Sequence, residues 1–355
     1  MQSTDDASSP DERAQTIGAV RGSRSIRSRW MLRFPVAVAA FTATTAAALA
    51  LYGAAAHPDF VSDFDQSLYA ARALLQGENP YRLIGPGRAF ELSWPYLYPL
   101  PAALVATPFA TLSVGWARAT FTGLGLGCFA FLLLRRSPHC WPAFLSYPAL
   151  GSVQLIQWAP WLAVATLAPW VGFFIAAKPN VGIAVLAAQR DRRGFVVVLL
   201  GAAVLVLLSL LVAPAWPRDW WAAMGSAPHI RPLVSRPGGF LLLLAALRWR
   251  RPEARALLAY ALTPMTPGVY EALLFASVAP TRQVALILAI LSYAALPIGL
   301  RSGHAPTFVA AAEQFSTALI AFVYVPILVV LLRGPNSSQG ASTNHDPGRP
   351  LRGKL

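Results

Sequence analysis

The sequence predicts an all-α, polytopic membrane protein, and three observations lead there. Of 355 residues, 56% are hydrophobic and only 12% are charged, whereas soluble domains carry about 25% charged residues. Apolar runs long enough to cross a hydrocarbon core of roughly 30 Å recur from Phe34 to Leu332. The runs are continuous rather than alternating, which selects helices over a closed barrel as the way to satisfy the backbone in lipid.

Charge follows the same plan. The formal net charge of +14 is concentrated at segment ends, at Arg21 to Arg33, Arg135 and Arg136, Arg190 to Arg193 and Arg248 to Arg255. That is the positive-inside pattern of cytoplasmic flanks, so no nucleic-acid partner is inferred. Lys178 and Lys354 are the two lysines; Cys128 and Cys140 lack metal-ligand spacing and read as packing residues.

Taken in order, residues 1–33 form a polar, basic tail expected to be disordered and cytoplasmic. Its polar length ahead of the first apolar run argues against a cleavable signal peptide. Phe34 to Ala56 is the first span, which places residues 57–95 in an outer loop. Further apolar segments fall near 97–113, 117–134, 141–169, 170–189, 195–213, 237–247, 255–276, 283–300 and 306–332, and 333–355 is a polar tail. Pro99, Pro101 and Pro108 make 97–113 a broken or re-entrant helix. About 8 to 11 spans are expected by the lengths of these runs, in one domain over 34–332.

The outer loop holds the stretch "SDFDQSLYAARALLQGENPYR" at 62–82. Phe64, Leu68, Ala71 and Leu75 make one apolar stripe of a helix, with Asp65, Tyr69 and Arg72 on a more polar one. Such a helix suits the outer membrane interface. Ser62 and Asp65 have capping-box spacing, Asp63 can cap alone, and Gly77 is a stop signal. Capping therefore accounts for either acid taken singly, but not for both together.

The order of first span, S-D-F, an A-A-R-x-L-L helix, "GENPY" at 77–81 and "WPYLYPLP" at 94–101 resembles glycosyltransferase family 87. That family comprises polyprenol-phosphate-mannose-dependent mannosyltransferases of the GT-C superfamily. "SVQLIQW" at 152–158, "AAKPNVGIAVL" at 176–186 and "TPGVYEALL" at 266–274 are similar to later segments of the family, and the likeness extends over residues 35–332. It implies a GT-C-type helical bundle that moves a hexose, expected to be mannose, outside the cytoplasmic membrane. The donor would be a polyprenyl-phosphate sugar, the acceptor a lipid or glycan, and the outcome inversion. The resemblance also implies an acidic general base in the first outer loop. Asp63 matches best and Asp65 is second.

The chemistry needs a carboxylate to take the acceptor hydroxyl's proton and fixed cations for the departing phosphate. Arg82 and Arg88 lie in the same loop; Lys178 stands alone in an apolar run; His229, Arg231 and Arg236 share "SAPHIRPLVSRPGG". Positive charge on an outer loop runs against the positive-inside trend, which favours an anionic partner. Lys178 either serves function as an intramembrane charge or snorkels to an interface. Tyr69, Tyr81 and Glu271 are candidates for the substrate cavity. Asp63-x-Asp65 is similar to the metal motif of soluble nucleotide-sugar transferases, but nucleotide sugars are absent from an outer face, so no metal or other cofactor is assigned. The rival reading is a transporter or flippase for a lipid-linked sugar, which would bury its acids near the midplane. A scaffold derived from the same family is a third.

Overall fold

The computed structural model describes residues 10–334 except 93, 229 and 306, with side chains from residue 33 onward. The described chain is helical, with an isolated bridge between Ile84 and Phe90 as its β pairing. Its α-helices are α1 (Pro10–Ala56), α2 (Asp63–Leu75), α3 (Pro80–Leu83), α4 (Leu100–Ala106), α5 (Val114–Arg136), α6 (Tyr147–Gln154), α7 (Ala159–Leu167) and α8 (Pro179–Ala187). There follow α9 (Arg192–Val212), α10 (Trp216–Met224), α11 (Pro252–Leu262), α12 (Arg282–Ser292), α13 (Leu296–Ser302), α14 (Phe308–Leu319) and α15 (Val325–Arg333).

Five stretches among the described residues are long and apolar enough to cross a membrane: Arg33–Ala56, Val114–Arg136, Arg192–Val212, Arg282–Ser302 and Phe308–Arg333. The remaining apolar sequence is divided into shorter pieces, and proline does the dividing. Pro138, Pro148, Pro160, Pro169 and Pro179 each stand at the start of a helical piece, where proline's missing N–H costs nothing. The expected segments 141–169 and 170–189 are therefore successions of short α and 3-10 helices. Segment 97–113 begins with Leu100–Phe109, too short to cross alone. α1 starts at Pro10, inside the stretch expected as a tail; residues 1–9 and 335–355 lie outside the described residues.

α5 is the central helix, with most of its length buried. On one side it lies against α1, and small residues set that approach. A Cβ on Gly123 would stand 3.0 Å from the Ala43 carbonyl oxygen, and one on Gly127 would stand 2.8 Å from the Ala43 Cβ. The small-x-x-x-small spacing on both helices is how backbones approach in lipid. On its other side, Trp161 of α7 donates its indole N–H to the Phe121 carbonyl at 3.1 Å. α9 is the opposite case: Leu199, Leu200, Val204, Leu207, Leu208 and Leu211 are exposed, the arrangement of a lipid-facing helix.

α2 is not a helix lying free on an interface. No residue from Ser62 to Leu74 is exposed, whereas Leu75, expected on the apolar stripe, is. Phe64, Leu68 and Ala71 join the main core, with the Phe64 ring stacked on Phe121 at 4.0 Å. Ala70, on another side, joins a smaller cluster with Tyr81, Ile84, Tyr96 and Leu100. α2 is thus a partition between two apolar clusters. It ends as expected: Gly77 adopts φ +75°, the Gly77 N–H donates to Leu74, and the Glu78 N–H donates to Ala73. That closure needs a left-handed residue after the cap, which glycine supplies without strain.

Candidate functional site

The two acids at the start of α2 have different surroundings. Asp65 is fully buried; its Oδ2 accepts the Ser62 backbone N–H at 2.6 Å, half of a capping box. It also pairs with Arg118 of α5, which is itself buried. Arg118 further donates to the Phe60 carbonyl at 2.5 Å, so it fastens the chain leading into α2. Every oxygen of Asp65 is engaged in holding the fold.

Asp63 lies two residues earlier in the chain and is half-buried. It has no ion-pair partner among the described residues. Its Oδ2 accepts a hydrogen bond from Gln157 Nε2. Gln157 turns its Oε1 to Lys178 Nζ at 3.2 Å, and Lys178 Nζ lies 3.1 Å from Glu271 Oε1. This orientation of the amide is set by chemistry, since its N–H must face the carboxylate and its oxygen the ammonium. Glu271 Oε2 accepts from the Gly268 N–H at 2.8 Å and from the Tyr260 hydroxyl at 3.3 Å. The Tyr324 hydroxyl closes the row, 2.8 Å from the Tyr260 hydroxyl and 3.1 Å from the Gly268 carbonyl. A continuous polar row thus runs from the start of α2 to the π-helical turn Ile320–Tyr324.

Each member is positioned by a local break in regular structure. Gln157 follows α6, whose C-terminus is closed by Gln157 N–H to Ser152 and Ile156 N–H to Val153. Ile156 occupies the left-handed position of that closure at φ +48°, where glycine is the usual residue. The Asp63 N–H donates to the Leu155 carbonyl at 3.3 Å, tying the two turns together. Lys178 is the N-cap of α8 and is buried, so it does not snorkel; its Nζ also stands 5.1 Å from the centre of the Tyr270 ring. An ammonium has three N–H donors, and two are used by Gln157 and Glu271. Gly268 has no room for a side chain, because a Cβ there would stand 2.6 Å from Glu271 Oε2. Tyr98, in the loop ahead of α4, has its phenol pKa pushed well above the usual value, first by burial and then by the charge of Asp63.

Of the residues expected at the site, Asp63, Lys178 and Glu271 come together. The loop arginines do not join them. Arg236 is buried and donates to the Arg231 and Ala312 carbonyls and to Ser316 Oγ. Arg231 pairs with Glu313 at the surface, and Arg82 is exposed. Arg88 donates to the Tyr81 carbonyl. His229 lies outside the described residues. Tyr69 stacks on Phe90 at 4.9 Å, and the Tyr81 hydroxyl donates to the Tyr98 carbonyl at 3.0 Å, one residue removed from the Asp63 surroundings.

Gln157, Tyr98, Tyr260 and Tyr324 were not anticipated as site residues. Gln157 carried a signal, a polar residue in an otherwise apolar "LIQWAPWLAV". The tyrosines carried none, being common in any apolar segment. No group of three or more His, Cys, Asp or Glu that could hold a metal ion occurs among the described residues. No family model matches the chain, and no curated protein or solved structure matches it.

Proposed function

We propose that the protein is an integral membrane glycosyltransferase of GT-C type. On this reading it transfers a hexose, assigned as mannose, from a polyprenyl-phosphate donor to a lipid or glycan acceptor, with its active site on the extracytoplasmic side. The observation that carries the proposal is the division of labour between the two acids. Asp65 is neutralised by Arg118, while Asp63, without an ion-pair partner, is held by one neutral amide within reach of a buried lysine.

In the proposed step the acceptor oxygen attacks the anomeric carbon while Asp63 takes its proton. The bond from that carbon to the phosphate oxygen breaks, and the phosphate leaves with the electron pair. The third N–H of Lys178 is available to a phosphate oxygen, which favours the transition state because charge grows there. One direct displacement with one base gives inversion. Gln157 orients both reacting side chains and Glu271 holds Lys178 in place.

The test is transfer from a labelled polyprenyl-phosphate hexose in membranes. Asp63→Asn is expected to lower the rate by about 10²–10⁴-fold, the range of a general base, with folding and donor binding kept. A fully active Asp63→Asn variant sinks the mechanism. A carrier for lipid-linked sugar is the second reading, favoured by the burial of Lys178 and Glu271 among short helices. Donor translocation in vesicles without transfer to any acceptor would select it.

A further inference from the structure

A cavity of about 220 Å³ lies between the Gly77–Tyr81 turn and the junction of α9 with α10. No member of the row from Asp63 to Tyr324 lines it. Its polar and aromatic wall consists of Glu78, Asn79, Tyr81, Trp216 and Asp219. Asn79 Nδ2 donates to Asp219 Oδ2 at 2.7 Å, and Asn79 Oδ1 accepts the Tyr81 N–H. The amide therefore faces the carboxylate as a fixed planar pair. Trp216 is 6% exposed, and its indole N–H is buried without a partner among the described residues.

Size and charge narrow the ligand. A cavity of about 150 Å³ accepts a benzene ring, so this one has room for a single six-membered ring with substituents. Its lining contains two carboxylates, Glu78 and Asp219, and neither arginine nor lysine. Like charge disfavours phosphate or any other anion there. A purely apolar ligand would leave the carboxylate and amide groups unpaired. What remains is a neutral ring carrying hydroxyls, which donate to the carboxylates and accept from the Asn79 amide, with C–H groups to meet the apolar part of the lining.

We propose that this cavity is a saccharide site taking one hexose ring, and that the ring is a part of the acceptor remote from the attacking hydroxyl. The acceptor role rests on the transferase reading; the binding itself does not. The position suits it. The cavity sits at the end of the lipid-facing α9, and its Tyr81 is hydrogen-bonded to the backbone of Tyr98, whose phenol feels Asp63.

The test titrates the full-length chain in lipid nanodiscs with methyl hexosides, read by tryptophan fluorescence and saturation-transfer NMR. Saturable binding is expected, weakened at least tenfold by Asp219→Ala and by Asn79→Ala. Ala215→Trp, at an exposed lining position, removes no hydrogen bond and is expected to block binding while the protein stays folded. Inorganic phosphate neither binds nor competes. Asp63→Asn leaves hexoside binding unchanged while transfer is lost, so the two proposals fail separately. Absence of saturable binding by folded wild type overturns the site. So does competition by phosphate, or binding that survives Ala215→Trp.

Discussion

Arg118 meets Asp65 with two nitrogens, Nε 3.0 Å from Oδ1 and Nη2 2.5 Å from Oδ2, and both side chains are buried. This pair fixes the first turn of α2 to the central helix, and so fixes where Asp63 points. Breaking a buried pair from one side strands a charge and costs about 3–5 kcal/mol, whereas apolar replacement of both partners is often tolerated. Arg118→Ala and Asp65→Asn are therefore expected to melt well below wild type in detergent. The double variant Asp65→Leu/Arg118→Met is expected to recover much of the loss.

The Lys178–Glu271 pair makes a different prediction. Lys178→Arg keeps the charge but exchanges a compact ammonium for a planar fork, and the space between Gln157 and Glu271 is built for the former. On the proposed transferase function, transfer is expected to fall at least tenfold in Lys178→Arg and further in Lys178→Met. Glu271→Gln is expected to lower both stability and rate, measured by thermal unfolding and donor turnover.

Much of the first turn was legible in the sequence. Ser62 and Asp65 carry capping spacing, Gly77 marks the stop, and both features are local. Arg118 was not legible as a partner, because 53 residues separate it from Asp65 and only the packing of α2 against α5 joins them. The same reason displaced Arg231 and Arg236. Their sequence gives charge on a loop, but whether α14 or a ligand receives that charge depends on which helix packs alongside. Gln157 was hidden differently, since a neutral amide changes neither the hydropathy nor the charge pattern.

Ile156 sets two effects against each other. A left-handed conformation costs a non-glycine residue about 1–2 kcal/mol, which Ile156→Gly would relieve. Ile156 is also 3% exposed, and deleting a buried isoleucine side chain costs about 2–5 kcal/mol. Burial wins on magnitude, so Ile156→Gly is expected to lower the melting temperature. A rise would mean that the strain exceeds the packing.

The α1–α5 contact supplies a matched pair of substitutions. Gly127→Val adds bulk where a Cβ already falls 2.8 Å from Ala43, and overpacking of this kind costs about 1–3 kcal/mol. Gly53→Ala places its methyl where nothing lies within 4 Å, and a helix-interior alanine gains about 0.5–1 kcal/mol over glycine. Thermal unfolding in one detergent is expected to move the two variants in opposite directions.

Tyr81 and Tyr96 set an alkaline limit. Burial first, and neighbouring charge second for Tyr81, raise both phenols above the usual value of 10.0. The folded state thus keeps protons that the unfolded state releases, and stability is complete below pH 10 and falls as pH rises beyond it. Ultraviolet titration is expected to register these phenolates only together with unfolding.

The bare flank of α9 makes bilayer thickness a mechanical input. At about 1.5 Å per residue its 21 residues extend about 31 Å, close to the roughly 30 Å of an average hydrocarbon core. A thinner membrane is met by tilt, and this helix is braced chiefly along one side, against Pro169–Ala176. Its last residue, Val212, is also a wall of the cavity beside Asn79. Lipid composition therefore reaches the cavity by leverage, through the angle of a single rod.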